Sequence, residues 1–319
     1  MIKVQNVYIS GTGRSLPDRV LHNNEIERLV DTDHQWVVDN VGVHERRIAE
    51  PSQYTSDFAS DAGLKAIENA GLEKADIDMV IVATATPDRV APSAACLTKQ
   101  KMGLSSNCAA FDVSAVCTGF VYALYLASSL VSAGSHRNVL VVGGDTFSKI
   151  TDWKRRDCVF FGDGAGAAVV SHSSNKESFF TGEICSDTDE THHFTVYEKD
   201  QFFTMNGRAV FNTATSVLPT SIRSVLKEHG MDTTKIDHVI PHQPSIRILK
   251  TLAQELNIPF SKFNTNMDRY ANTSGGTVPI LLDELNQSGD LRYGDIVLFA
   301  AVGSGWTWGS ALSMWLKED

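Results

Sequence analysis

Gly71-Leu72-Glu73-Lys74-Ala75-Asp76-Ile77-Asp78-Met79-Val80-Ile81 aligns without a gap on Gly230-Met231-Asp232-Thr233-Thr234-Lys235-Ile236-Asp237-His238-Val239-Ile240, 159 residues downstream. Each copy follows an apolar-periodic helix, residues 56–70 in one case and 217–229 in the other. The correspondence continues in the same order. Val139-Leu140-Val141-Val142-Gly143 matches Ile296-Val297-Leu298-Phe299-Ala300, and residues 164–170 match 309–315. Such a repeat commits the chain to two copies of one supersecondary plan. Two similar α/β halves are expected, residues 1–172 and 173–319, since 319 residues suffice for two units of roughly 150 each.

Within each half the pattern alternates strand and helix. Residues 79–83 and 138–143 are continuous apolar runs bounded by turn signals, the mark of buried central strands. Residues 4–11 and 110–113 read as further strands; 23–30, 56–70, 92–102 and 118–133 read as helices, with Gly71 and Gly134 as stops. The glycine-rich run at 162–166 leads into a strand rather than a helix, so tight sheet packing fits it better than a phosphate cradle. Gly11-Thr12-Gly13 lacks the third glycine of a dinucleotide fingerprint. Residues 171–206 are largely polar, start as an exposed loop at 172–176, and hold the surface pair His192-His193.

Charge and cysteine usage exclude several functions. The net charge is −10 and the longest basic run is Lys154-Arg155-Arg156, which gives nucleic-acid binding little support. Five cysteines without CxxC or Cys/His spacing argue against zinc or a disulfide framework and for reduced thiols. No metal is expected. With no apolar leader and no run approaching 18 apolar residues, a cytoplasmic protein that does not span a membrane is expected.

Three segments carry candidate chemistry. Cys117 lies at the turn between the strand 110–113 and an apolar helix, where unpaired N–H groups and the helix dipole draw a thiol toward thiolate. By itself such a cysteine is more often a buried small hydrophobe. His242, in Pro241-His242-Gln243-Pro244, ends the second copy of the repeated strand. Asn272 precedes Ser274-Gly275-Gly276 and the apolar helix 280–285, the counterpart of the Cys117 turn. Singly, these are a satisfied polar residue and a turn former. Their places in the repeat let Cys, His and Asn converge on one point.

Those residues, in Ser114-Ala115-Val116-Cys117-Thr118-Gly119-Phe120, Pro241-His242-Gln243-Pro244 and Asn272-Thr273-Ser274, carry a family resemblance. Phe161-Gly162-Asp163-Gly164-Ala165-Gly166 and Gly303-Ser304-Gly305-Trp306-Thr307-Trp308-Gly309 belong to it too. So does Asp31-Thr32-Asp33-His34-Gln35-Trp36. Over nearly its whole length the chain resembles β-ketoacyl-acyl-carrier-protein synthase III of the thiolase superfamily. The resemblance implies a duplicated, five-layered αβαβα thiolase fold, a homodimer, acyl-CoA and acyl carrier protein as partners, and no cofactor. It implies that Cys117 takes an acyl group, with an oxyanion hole from the backbone of Cys117, Ser304 and Gly305. His242 and Asn272 then hold the enolate formed as a malonyl thioester loses CO₂.

The same resemblance places substrate at Thr32, Trp36, Arg156 or its neighbour Arg155, Phe161, Gly207, Phe211 and Ser245, and carrier docking at Arg247, with Lys250 expected to make up in part for basic residues the carrier patch lacks. It also exposes departures. An arginine four residues after the tryptophan is Asn40 here, an asparagine three after the histidine is Ser245, and Pro244 replaces a small residue. Carrier-patch basic residues are replaced by Asn212 and Gln254-Glu255. Two aromatic positions that restrict the acyl pocket, one reaching in from the partner subunit, are Ala91 and Val302. Each further buried methylene contributes about 0.8 kcal/mol, so a primer larger than acetyl is expected. Rival readings are transfer of the acyl group to an oxygen or nitrogen nucleophile, a cysteine hydrolase, and a non-catalytic synthase subunit.

Overall fold

The computed structural model describes residues 1–175, 177–189, 191–196 and 202–317. Two five-stranded sheets organise it. The first runs in the order Val7–Ser15, Asp163–His172, Asn138–Thr146, Met79–Ala83, Ala109–Val113. The second runs Ile2–Gln5, Phe179–Ser186, Thr307–Met314, Ile296–Gly303, His238–Pro241. In each, the repeated strand (Met79–Ala83 or His238–Pro241) pairs parallel with the strand that follows a central helix, Asn138–Thr146 or Ile296–Gly303, which in turn pairs antiparallel with the next.

Side-chain alternation then stacks the layers. Val80, Val82, Leu140 and Val142 point outward onto the helices Thr55–Asn69 and Ala94–Met102. Ile81, Val139 and Val141 point inward with Ile240, Val297 and Phe299 of the other sheet. Between the two inward faces lie the helices Gly119–Ser132 and Thr277–Gln287, contributing Phe120, Leu124, Leu281 and Leu282. Val239, Leu298 and Leu312 face outward onto Gly207–His229 and Ile246–Leu256. The order is helix, sheet, helix, sheet, helix.

Strand register corrects the sequence match in detail. Met79 pairs with Val139 and His238 with Val297, so the equivalent of Val139 is Val297 rather than Ile296. A one-residue slip would exchange the faces; Val139 and Val297 both point inward, whereas Ile296 packs with the outer cluster. Gly143 pairs with Gly166, and Ala301 with Gly309, which places Gly309 opposite Gly166 in the repeat and not opposite Gly164.

The N-terminal strand is two. Asn6, at φ 62, separates Ile2–Gln5, which joins the second sheet through Phe179–Ser186, from Val7–Ser15 in the first. Part of the 171–206 stretch is core: Phe179–Ser186 is an interior strand whose Phe179 and Phe180 are buried in the outer and central clusters. Lys176 of the expected exposed loop lies outside the described residues. Gly11 and Gly13 let the Val7–Ser15 strand touch the helix above: a Cβ on Gly13 would lie 2.3 Å from Ala62 O. The Gly-Thr-Gly run is a packing contact. Among the described residues no helix is long and apolar enough to cross a membrane.

Candidate active site

Two short 3₁₀ turns, Val116–Thr118 and Ser274–Gly276, precede the two central helices and face each other. Their first residues repeat an unusual backbone: Val116 has φ 46 and Ser274 φ 51. Left-handed backbone at non-glycine residues costs roughly 1–3 kcal/mol and persists where the surroundings over-determine it. Here they do. A Cβ on Gly143 would sit 2.2 Å from Gly275 O, so the halves meet backbone to backbone. Gly275 N donates to Asp145 Oδ2 at 3.0 Å, and Asp145 Oδ1 accepts from Thr84 Oγ1 (2.9 Å), Ala85 N (2.7 Å), Thr86 N (3.0 Å) and Thr86 Oγ1 (2.9 Å). Asp145 thus ties the Ser274–Gly276 turn to the first sheet. Sequence reading missed it, although an acid at the end of a buried apolar strand was the available signal.

Cys117 is 5% exposed, its Sγ 3.6 Å from Ser274 Oγ. Burial pushes the thiol up to about 12; the Ser274 contact opposes this and the Asp145 charge adds to it. The expected pull toward thiolate at a helix start is outweighed, and the resting sulfur is a neutral thiol. His242 is 4% exposed; its backbone N–H donates to Ala300 O at 2.7 Å and its Nδ1 meets Thr277 Oγ1 at 2.7 Å. Burial alone pushes its pKa down to about 3, so the imidazole is neutral. Asn272 is bridged to Phe161, its N–H donating to Phe160 O at 2.9 Å. Asn272 Oδ1 accepts the Ser274 N–H at 2.8 Å, which leaves the amide NH₂ as the free end of the side chain.

All three side chains line one cavity of about 450 Å³. Of the other sequence candidates, Trp36, Phe161, Gly207, Phe211, Ser245, Arg247, Val302 and Ser304 line it as well. Gly305 does not, but its neighbour Gly303 does, and a Cβ there would be 3.1 Å from Cys117 N. Of the two adjacent arginines, Arg156 lies over the Trp36 ring at 3.8 Å, while Arg155 pairs with Asp157 at 2.6 Å. Thr32 is outside the lining, yet its Oγ1 is buried without a hydrogen-bond partner among the described residues. Lys250 is exposed, one helical turn along from Arg247 on Ile246–Leu256. Ala91 is exposed and does not reach the cavity of its own chain. Asn40 lines the mouth and accepts from Arg247 at 3.5 Å. One wall was not anticipated: Phe161 stacks on Phe147 (4.2 Å between centroids) and packs against Phe194 and Phe203, and Phe194 reaches the cavity. Among the described residues no group of three or more His, Cys, Asp or Glu could hold a metal ion.

Comparison with known proteins agrees with this architecture. The family model described as 3-oxoacyl-[acyl-carrier-protein (ACP)] synthase III matches residues 111–188, and its C-terminal counterpart matches residues 226–315. Beta-ketoacyl-[acyl-carrier-protein] synthase III of Caldanaerobacter subterraneus is 41% identical over 97% of this chain and 98% of that protein. The crystal structure of 3-oxoacyl-[acyl-carrier-protein] synthase III from Aquifex aeolicus superposes with a TM-score of 0.94 at 37% identity, covering 97% of this chain and 100% of that one. The priming beta-ketosynthase of the R1128 polyketide biosynthetic pathway superposes at 0.93 with 28% identity, covering 99% and 98%. Fold and likeness together define a thiolase-fold condensing enzyme, a transferase. Within that class the chain belongs to the β-ketoacyl-[acyl-carrier-protein] synthase III family.

Proposed function

We propose that the protein catalyses decarboxylative Claisen condensation of an acyl thioester with a malonyl thioester, malonyl-acyl-carrier-protein by preference. Cys117 is the nucleophile, supplied by residues 1–172; His242, Asn272 and the glycine turn come from residues 173–319. In the first half-reaction Cys117 Sγ bonds the acyl carbon, the bond to the coenzyme A sulfur breaks, and the thiol proton leaves with coenzyme A. Backbone N–H groups of Cys117 and of the Ser304-Gly305 turn hold the oxyanion. In the second, the bond between the malonyl carboxylate and its α-carbon breaks and CO₂ leaves. His242 and Asn272 donate to the enolate oxygen, and the α-carbon attacks the acyl-Cys117 carbonyl; the bond from that carbon to Sγ breaks, giving a β-ketoacyl thioester and a thiolate that takes a proton from water. The chemistry asks for no metal or redox group.

One observation carries this reading: the thiol shares its cavity with two uncharged groups, an imidazole whose pKa is near 3 and an amide, and with no strong base. Neutral donors suit an enolate. Acyl transfer to an oxygen or nitrogen nucleophile, or hydrolysis, gives no role to Asn272, an amide that can neither take up nor give up a proton but can donate to an enolate oxygen. Val302, in place of an aromatic residue in the cavity lining, supports a primer larger than acetyl, used in fatty-acid initiation or, as for the polyketide priming relative, in a specialised pathway. Thr32, Trp36 and Arg156 would hold the nucleotide end of acyl-CoA, and Arg247 and Lys250 the acidic carrier.

The working form we infer is a cytoplasmic homodimer. Ala109–Val113 is an open sheet edge that exposes Phe111, with fully exposed Val90 near Ala91. Pairing two such edges would carry Ala91 toward the partner's cavity.

The test is CO₂ release from a malonyl thioester after loading with a panel of acyl-CoA primers. Wild type should release CO₂ and show an acyl adduct by intact mass. Cys117→Ala should show no adduct; an adduct that persists in it, or acylated wild type that releases no CO₂ from any malonyl thioester and forms no β-ketoacyl product, would exclude condensation at this site.

A further inference from the structure

His242 sits between Pro241 and Pro244, neither of which has an N–H to offer the ring. The ring's protein partner is a side chain brought from the start of the Thr277–Gln287 helix: Thr277 Oγ1, 2.7 Å from Nδ1. A neutral imidazole carries one proton, on one nitrogen, and the hydrogen bond at the other nitrogen decides which. The Thr277 hydroxyl has one proton and two acceptors in reach, Nδ1 and, at 3.1 Å, the Ser274 carbonyl. That carbonyl already accepts the backbone N–H of Thr277. Of the two acceptors, Nδ1 is the nearer, at 2.7 Å, and the one that does not already hold an N–H.

We propose that Thr277 is a positioning residue: its hydroxyl donates to His242 Nδ1 and so holds the imidazole as the tautomer with its proton on Nε2, the nitrogen left for the cavity. The opposite arrangement, Nδ1–H donating to Thr277 and the hydroxyl turned to Ser274, would present a lone pair to the enolate oxygen and repel it. A threonine hydroxyl thereby does what the prolines around His242 cannot. The inference rests on the donor role proposed for His242, and its test separates the two.

¹⁵N NMR of the full-length protein labelled at histidine reads the tautomer without substrate, the His242 signals being identified by their loss in His242→Gln. Nε2–H is expected in wild type and in Thr277→Ser, with a shift to Nδ1–H or a mixture in Thr277→Val. Malonyl-thioester decarboxylation should fall on the order of 10²-fold in Thr277→Val and stay within a few-fold in Thr277→Ser, as for loss of one oriented donor. Cys117 acylation should be unchanged in both. Nδ1–H in wild type, Nε2–H retained in Thr277→Val, or wild-type decarboxylation by Thr277→Val overturns the proposal. A tautomer that follows Thr277 in a protein that decarboxylates no malonyl thioester upholds the role of Thr277 and sinks the condensing function instead.

Discussion

Burial governs the thiol and the imidazole of the cavity, and it moves them apart. Cys117 is held up to about 12 and His242 down to about 3, so neither changes charge across the working range and no ion pair forms between them. For Cys117 this means that the dipole of Gly119–Ser132 is a correction to desolvation rather than the larger effect, and nucleophilicity has to come from what substrate binding does to the sulfur's surroundings. For His242 there is a consequence for stability. Its ordinary pKa of 6.5 applies to the unfolded chain, which below that pH binds a proton the folded chain refuses. The contribution is therefore complete above 6.5 and is lost as pH falls toward 3, at about 1.4 kcal/mol per pH unit. Urea denaturation of wild type and His242→Gln across pH 7 to 4.5 should show wild type losing stability faster, the gap between the curves changing by roughly 2 kcal/mol or more. Carboxyls that burial shifts the other way, such as Asp145, are common to both proteins and cancel in the difference. Parallel curves would mean that His242 titrates normally. The residue types were legible because Cys117, His242 and Asn272 stand where equivalent elements of the repeat end. What the sequence could not convey is the pairing of each with a distant segment: Ser274 with Cys117, Thr277 with His242, Arg156 with Trp36.

Elements with one clear period were readable and those with mixed environments were not. Met79–Ala83 and Asn138–Thr146 are buried along their whole length, and continuous apolar runs announce that. Phe179–Ser186 places Thr181, Gly182 and Glu183 in the middle of a sheet, flanked by polar segments, and falls in a stretch that reads only as largely polar. The first residues of Gly207–His229 border the cavity through Gly207, Arg208, Val210 and Phe211, so Val210 and Phe211 serve both the outer core cluster and the cavity wall. The two 3₁₀ turns are also elements, and Asp145 is what fixes one against the other. Asp145→Ala would take the acceptor from Thr84 Oγ1, Ala85 N and Gly275 N, at about 1–3 kcal/mol for each that water cannot reach, while Thr86 N–H keeps Thr84 Oγ1 as acceptor. A loss of at least about 3 kcal/mol in denaturation free energy is expected. A change under about 1 kcal/mol would show that the turn is held by the glycine contacts alone.

At the scale of the whole molecule, the proposed dimer and the proposed primer size are one question. The first sheet ends at Ala109–Val113, where Phe111 remains 37% exposed on a strand with unpaired backbone groups. Left alone, such an edge is a liability that proteins cover or charge; a second copy pairing edge to edge would cover it and continue the sheet. The loop with Val90 and Ala91 flanks this edge, so closure would bring Ala91 near the other subunit's cavity without moving anything in its own. Phe111→Lys should then convert a particle of twice 34.8 kDa into one of 34.8 kDa in sedimentation equilibrium. Ala91→Phe, in contrast, should leave the mass unchanged and shift Cys117 acylation toward acetyl and away from longer primers. Combining the two separates cause from coincidence: if Ala91 acts across the interface, the selectivity shift disappears in the monomeric double variant. If the shift survives dissociation, Ala91 acts within its own chain, and the open edge has no part in choosing the acyl group.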